Sequence, residues 1–126
     1  MRRLVVAACV IATTLGGGCF TPSIPIPPPD AARMDFELST TPGAETATFA
    51  YPATHNYEGS VVYVYNRDQG TGIIVDANPD GGVGPTMPFA AVAGNQIVVT
   101  FQREDQSQST CIRLRQGAQD PNNYCD

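Results

Sequence analysis

The sequence of 126 residues contains no lysine, a single histidine and no apolar stretch long enough to cross a membrane as a helix. Its seven basic residues are all arginine, against twelve aspartates and glutamates, and the formal net charge is −5. Contacts with phosphate groups need clustered lysine or arginine, so this charge balance argues against a nucleic acid as partner. The longest largely apolar run, residues 4–15, falls short of the about 20 residues that a membrane-spanning helix needs.

The start of the chain has the layout of an export signal. Arg2 and Arg3 precede the apolar run, and three glycines lead directly into Cys19. A positive start, a short apolar stretch and small residues predict a secretory signal peptide over residues 1–18. Two arginines alone do not define a twin-arginine signal, so the general secretory route is favoured.

The cysteine at the end of this segment resembles the lipobox of bacterial lipoproteins. In that family the peptide is cut before the cysteine, here between Gly18 and Cys19, and the cysteine then carries an acyl lipid such as palmitate. Gly16 stands where the family prefers Leu, Val or Ile, and Phe20 follows the cysteine instead of an aspartate. The resemblance implies an exported protein anchored through Cys19, in the outer membrane of a Gram-negative host, on its periplasmic or cell-surface face. An ordinary secretory signal that leaves Cys19 as a thiol is the alternative.

After the signal peptide we expect a lipidated tether over residues 19–30 and one small domain over residues 31–126. Cleavage removes two arginines, so the formal charge of the mature chain falls from −5 to −7. The tether is predicted to be an extended polyproline II segment that spans about 30 Å, because a proline-rich chain advances about 3.1 Å per residue. A proline-rich segment can also be a docking ligand, but next to an anchor a spacer is favoured. Its prolines are Pro22, Pro25, Pro27, Pro28 and Pro29.

The cysteines agree with export to an oxidising compartment. Cys9 lies in the signal peptide, which leaves Cys111 and Cys125 as an even pair. A disulfide between them is the simplest interpretation, and closing so short a loop contributes about 3 kcal/mol in the chain-entropy model. A metal site is the rival hypothesis, but two cysteines with no histidine nearby make a poor zinc site.

Short β-rich segments alternate with turns throughout the predicted domain, and no segment has the periodicity of a long amphipathic helix. The polar residues 104–109 are expected to lead into the last strand. Seven short strands at this spacing predict an all-β fold, a single β-sandwich of immunoglobulin-like or prealbumin-like type. The predicted strands are 34–38, 47–51, 61–66, 71–77, 87–92, 96–102 and 110–115.

The middle of the domain resembles the carboxypeptidase-regulatory-like and related immunoglobulin-like modules of bacteria. Those modules pair a Val-x-Val-x-Asn strand and a glycine turn with a second strand that ends in Asp-Gly, followed by an Ala-Gly-(Asp/Asn)-x-Ile-x-Val strand. The resemblance implies a β-sandwich with an adhesion, scaffold or spacer role and no catalytic residues. Neither an enzyme nor a cofactor is therefore expected. The corresponding residues here are Gly59, Val62, Val64, Asn66, Gly70, Asp80, Gly81, Ala93, Gly94, Asn95, Ile97 and Val99.

One loop matches the start of a calcium-binding sequence. Asp76, Asn78 and Asp80 occupy the first, third and fifth positions, where oxygen ligands are needed, and Gly81 follows. Met87 stands at the twelfth position, where a glutamate would complete the site. A tight turn is the simpler interpretation, because Asn, Asp and Gly favour turn conformations. A calcium- or ligand-binding exported module remains the alternative function.

Other candidate residues are few. His55 could act as the base for Ser60 or Ser107, but neither serine has a nucleophile-elbow sequence, so a catalytic triad is not expected.

A tyrosine-rich stretch is the better candidate for a site. Tyr63 and Tyr65 alternate with valines and are predicted to point outward if the valines face the core. With Tyr51 and Tyr57 nearby in sequence, they suggest either a patch for an envelope or extracellular protein partner or ordinary cross-strand packing. The Arg113 and Arg115 pair is expected on a solvated strand face.

Overall fold

The strands of the computed structural model, which describes residues 25–125, form two four-stranded antiparallel sheets. Short 3₁₀ turns cover Ala31–Arg33 and His55–Tyr57, and the described residues contain no α-helix. The predicted all-β sandwich is therefore confirmed. The strands are β1 (Asp35–Ser39), β2 (Thr46–Ala50), β3 (Val61–Asn66), β4 (Thr71–Asp76), β5 (Phe89–Ala90), β6 (Gln96–Arg103), β7 (Gln106–Arg113) and β8 (Gly117–Ala118).

The strand order differs between the two sheets. The first sheet has the order β5-β2-β1-β8, and the second sheet has the order β4-β3-β6-β7. The eighth strand is a two-residue segment that pairs with the start of β1, too short for any periodic signal in the sequence. β7 begins at Gln106 rather than after Ser109, because the turn at Glu104 and Asp105 closes a hairpin in which Arg103 pairs with Gln106.

The core lies between the sheets and follows the period-two pattern of the strands. Val62 and Val64 of β3 are fully buried, and so are alternate residues of β6. Fully burying an apolar side chain of this size stabilises the fold by about 1.5–3 kcal/mol. Aromatic rings fill one end of the core, where the Tyr57 and Phe101 rings stack with centroids 3.9 Å apart and Tyr51 packs edge-on against both.

The buried Asn66 side chain fixes the turn between β3 and β4. Its Oδ1 accepts hydrogen bonds from the backbone N–H groups of Asp68 and Gln69. Its Nδ2 donates to the carbonyl oxygen of Ala90 and to Asn95 Oδ1. Because a buried polar group must be hydrogen-bonded, this residue ties the turn of the second sheet to β5 of the first sheet.

The second half of the predicted tether packs against the sandwich. Ile26 is only 2% exposed and joins the core, and its backbone N–H donates to Gln106 Oε1 over 2.8 Å. The Thr110 hydroxyl donates to the Pro29 carbonyl over 2.6 Å. Residues 26–30 are thus held against β7, outside the predicted domain boundary at residue 31 but part of the folded structure.

Two core tyrosines also bind this segment. The Tyr57 hydroxyl donates to the Pro27 carbonyl over 2.9 Å, and the backbone N–H of Asp30 donates to the Tyr51 hydroxyl over 3.0 Å. Pro25, the first described residue, lies beside residues 105–108 at the turn between β6 and β7. The chain therefore enters the domain at the β7 side of the second sheet.

Candidate functional site

The outward face of the second sheet carries exposed aromatic and aliphatic side chains. The valines of β3 point inward, so Tyr63 and Tyr65 point outward as predicted, and Tyr65 is 46% exposed. Ile74 of β4 pairs with Tyr63 and is 67% exposed. We call the surface formed by Tyr63, Tyr65, Gly72 and Ile74 the tyrosine face.

A shallow recess of about 240 Å³ lies on the tyrosine face. Gly72 pairs with Tyr65 and lines the recess without a side chain. A Cβ atom built at Gly72 would collide with the carbonyl oxygen of Val64, so this position requires glycine. At Gly72 the recess is therefore bounded by backbone, and its other lining residues are mostly apolar or aromatic.

The remainder of this outward surface is polar but largely uncharged. Thr100 of β6 lies next to Tyr63 of β3, and the Thr100 hydroxyl is 2.6 Å from the Ser109 hydroxyl on β7. The outward surface of the first sheet is different, since Asp35 and Glu37 of β1 are exposed there beside small residues of β2. Exposed aromatics without neighbouring charge are typical of contact surfaces, because interface centres are depleted of charged residues.

The sequence identified the tyrosines but not Ile74. The signal for Ile74 was present, because Ile73 and Val75 are partly buried against the core and a period-two strand then places Ile74 outward. The sequence could not show which of the four tyrosines of the predicted patch are exposed and which are buried. Tyr51 and Tyr57 lie in the core at 5% and 2% exposure, so they do not belong to the tyrosine face.

The buried Tyr57 hydroxyl is also electrostatically perturbed. Burial, followed by the neighbouring Tyr51 hydroxyl, raises the pKa of Tyr57 well above its ordinary value of 10. The group is therefore a neutral hydrogen-bond donor to Pro27 at physiological pH. Its role is to hold residues 26–30 in place.

The calcium-like sequence forms a closed turn. Asp80 Oδ1 accepts a hydrogen bond from the backbone N–H of Gly82 over 2.9 Å, and Gly81 donates to the carbonyl of Asn78 over 2.8 Å. A Cβ atom at Gly81 would collide with the carbonyl of Thr54, and its φ of 82° lies in the left-handed region. Residues 25–125 contain no group of three or more His, Cys, Asp or Glu side chains that could hold a metal ion.

The candidate triad residues are not brought together. His55 Nδ1 lies 2.7 Å from Glu58 Oε1, and the histidine side chain is 98% exposed. Ser60 is buried, and its hydroxyl has no hydrogen-bond partner among the described residues. Ser107 lies on the outward surface of β7, in register with Gln102 of β6.

The two edges of the second sheet are unequal. Cys111 and Cys125 are joined in a disulfide with their Cα atoms 5.4 Å apart. The C-terminal residues then pair with β7, since Cys125 donates to the Cys111 carbonyl and Arg113 donates to the Asn123 carbonyl. At the opposite edge β4 pairs only with β3, and within residues 25–125 no strand is hydrogen-bonded to its other side.

The predicted lipidation and cleavage positions, Cys19 and Gly18, lie outside the described residues. Within residues 25–125, no helix is long and apolar enough to span a bilayer. No family model, curated protein or solved structure matches the chain. The case for a function therefore depends on the residues and surfaces of the molecule itself.

Proposed function

We propose that this chain is a membrane-anchored bacterial lipoprotein whose β-sandwich is a non-enzymatic interaction module of the cell envelope. The observation that carries the proposal is the tyrosine face, where Tyr65 and Ile74 expose apolar surface around the recess at Gly72. Tyrosine supplies a large contact area and a polar hydroxyl, and it is enriched at the centres of protein interfaces. The closest neighbours of these side chains across the sheet are uncharged.

The N-terminal sequence supports the anchor, and the docked segment limits how far the domain stands from it. Residues 26–30 pack against β7, so only the stretch from Cys19 to Pro25 is left to act as a spacer. A chain of six or seven residues reaches at most about 20–25 Å when fully extended. In this proposal the lipid therefore holds the domain near the bilayer, with Pro25 and the turn between β6 and β7 on the anchored side.

Replacement of the lipidated cysteine tests the anchor. We expect Cys19→Ser in the native host to abolish lipidation and to move the protein out of the membrane fraction. Cys9→Ser is the matched control, because it removes a cysteine from the signal peptide and is expected to leave processing intact. An unchanged size and unchanged membrane association of Cys19→Ser would contradict the proposal.

A photo-cross-linking side chain at Tyr65 tests the interaction role. On illumination of intact cells, we expect discrete covalent adducts from position 65. The same group at Thr48, on the outward surface of the first sheet, is the control and is expected to give none. Equal adduct patterns from the two positions would show that the tyrosine face has no special role in contacts.

A further inference from the structure

β4, with six residues, is the longest strand edge to which the described residues supply no backbone partner. The edge strands of the first sheet, β5 and β8, have only two residues each. β7 is paired with the C-terminal tail at Cys111–Arg113, and nearer its start it is bound to residues 26–30 through the side chains of Gln106 and Thr110. β4 has six residues, and it contains none of the lysines, prolines or bulges that commonly prevent edge strands from pairing.

The hydrogen-bond pattern shows which backbone groups face this open edge. Ala77 donates to the Ser60 carbonyl, so the residues of β4 at odd numbers direct their N–H and C=O groups towards β3. Because the direction alternates along an antiparallel strand, the groups of Gly72, Ile74 and Asp76 point away from the sheet. All three residues are exposed.

We propose that β4 pairs antiparallel with β4 of a second copy of this chain, so that two second sheets join into one sheet of eight strands. The pairing is centred on Ile74, which then lies opposite Ile74 of the second copy. In this register both outward groups of Ile74 are hydrogen-bonded across the interface. The tyrosine faces of the two copies become one continuous surface, with Tyr63 on either side of the central isoleucine pair.

The proposed register places no two like charges opposite each other. Each Asp76 lies opposite Gly72 of the other copy, where no side chain competes for the space. The two Asp76 carboxylates are four residues apart along the strands, about 13 Å at 3.3 Å per residue. That separation exceeds the Debye length of about 8 Å at physiological ionic strength, so their repulsion is screened. The acidic net charge of the chain is thus no obstacle at the contact itself.

The described chain begins at the opposite edge of this sheet. Pro25 lies beside residues 105–108, next to β7 and across the sheet from β4. Two edge strands bury less surface than the about 1,200–2,000 Å² of stable complexes, so we expect weak pairing in dilute solution. The proposed lipid anchor would confine both copies to one membrane and raise their effective concentration, and only this enhancement rests on the proposed function.

A cysteine at the centre of the proposed register tests the pairing. In a hydrogen-bonded antiparallel pair the Cα atoms are about 5.5 Å apart, within the range that a disulfide spans. We expect the full chain with Ile74→Cys to form a covalent dimer on mild oxidation, seen on a non-reducing gel. The matched control is Ser107→Cys, an exposed outward position on β7 of the same sheet. We expect it to cross-link on the order of ten times more slowly, since only random collisions bring it within bonding range. Equal rates at the two positions would overturn the proposal.

Both variants are prepared with Cys19 intact and with Cys19→Ser, which separates the two proposals. Faster dimerisation of Ile74→Cys over Ser107→Cys in the Cys19→Ser chain supports the pairing without any anchor. If the intact chain dimerises no faster than the Cys19→Ser chain, the anchor makes no contribution and that part of the proposal fails, while the pairing stands.

Amide hydrogen exchange of the Cys19→Ser chain distinguishes a second copy from other occupants of the edge. We expect the amides of Gly72, Ile74 and Asp76 to exchange rapidly in dilute solution and to gain protection as the concentration rises. Protection that is already complete in the dilute monomer would mean that another segment of the same chain covers β4, and it would overturn the proposal. No protection at any concentration up to about 1 mM, where even a contact of about 4 kcal/mol is populated, would also overturn it.

Discussion

At one edge of the second sheet, β7 is bonded to the C-terminal tail and flanked by residues 26–30, whereas β4 at the other edge has no backbone partner on its outer side among the described residues. The protection of β7 does not come from its own sequence. It comes from the two ends of the described chain, which meet at this strand and are held by a disulfide and by side-chain hydrogen bonds. A sheet edge in a small sandwich can thus be closed by segments that have no strand pattern of their own.

Loss of the disulfide is expected to have the largest effect on this comparison, because it frees the tail and makes the β7 edge resemble β4. The bond joins residues 14 apart, and a loop of that length contributes about 3 kcal/mol. We expect Cys111→Ser with Cys125→Ser to lower the free energy of unfolding by about this amount in urea titrations. Reduction of the unmodified protein is the control and should give the same shift. An unchanged midpoint after reduction would show that the disulfide adds no stability.

The same substitution on the two sides of the sheet sharpens the comparison further. Ile26→Ala removes a buried side chain from the segment against β7 and is expected to cost about 2–3 kcal/mol, towards the low end for such changes because the site is at the border of the core. Ile74→Ala on β4 is the matched control and should stay within about 0.5 kcal/mol, since that side chain is exposed. If the two variants lost the same stability in thermal or urea unfolding, residues 26–30 would be a passive tether.

The smallest effect on stability is expected from the ionisation of Tyr57, and it appears only at alkaline pH. At neutral pH the Tyr57 hydroxyl is fully protonated. The pKa of Tyr57 is raised in the folded protein, so its contribution to stability is complete below the unfolded value of about 10 and is lost above it. We expect the unfolding midpoint to fall as pH increases beyond 10, and to fall less steeply in Tyr57→Phe. Parallel pH profiles for the two proteins would assign the alkaline loss to other groups.

Much of the sandwich could be predicted because its central strands have an unambiguous pattern. β3 and β6 are dense in β-branched and aromatic residues, and alternate positions are fully buried. The sequence therefore predicts both the fold class and which side of each of these strands faces the core. The start of β7 was not predictable in this way. Residues 106–109 are polar, and what makes them a strand is their pairing with β6 across the turn at Glu104.

For residues 26–30, the sequence predicted the extended conformation but not the packing against the domain. The prolines of this segment correctly indicate an extended chain, but proline content says nothing about contacts, and the informative residue is the isoleucine among them, Ile26. The candidate surface shows the same limit, since Tyr51 and Tyr65 have similar sequence surroundings and opposite exposure. Their difference arises from position: Tyr51 directly follows β2 of the first sheet and packs in the aromatic core, whereas Tyr65 lies on the outward side of β3.

The docking of residues 26–30 also has a mechanical consequence under the proposed anchoring. A force applied through Cys19 would enter the domain at Ile26 and would load the contacts of Ile26, Pro27 and Pro29 one after another, rather than together. Segments loaded in sequence detach at lower force than strands sheared in parallel. The segment would then act as an extensible strap, which lengthens the connection to the membrane by several residues before any tension reaches β1 and the core.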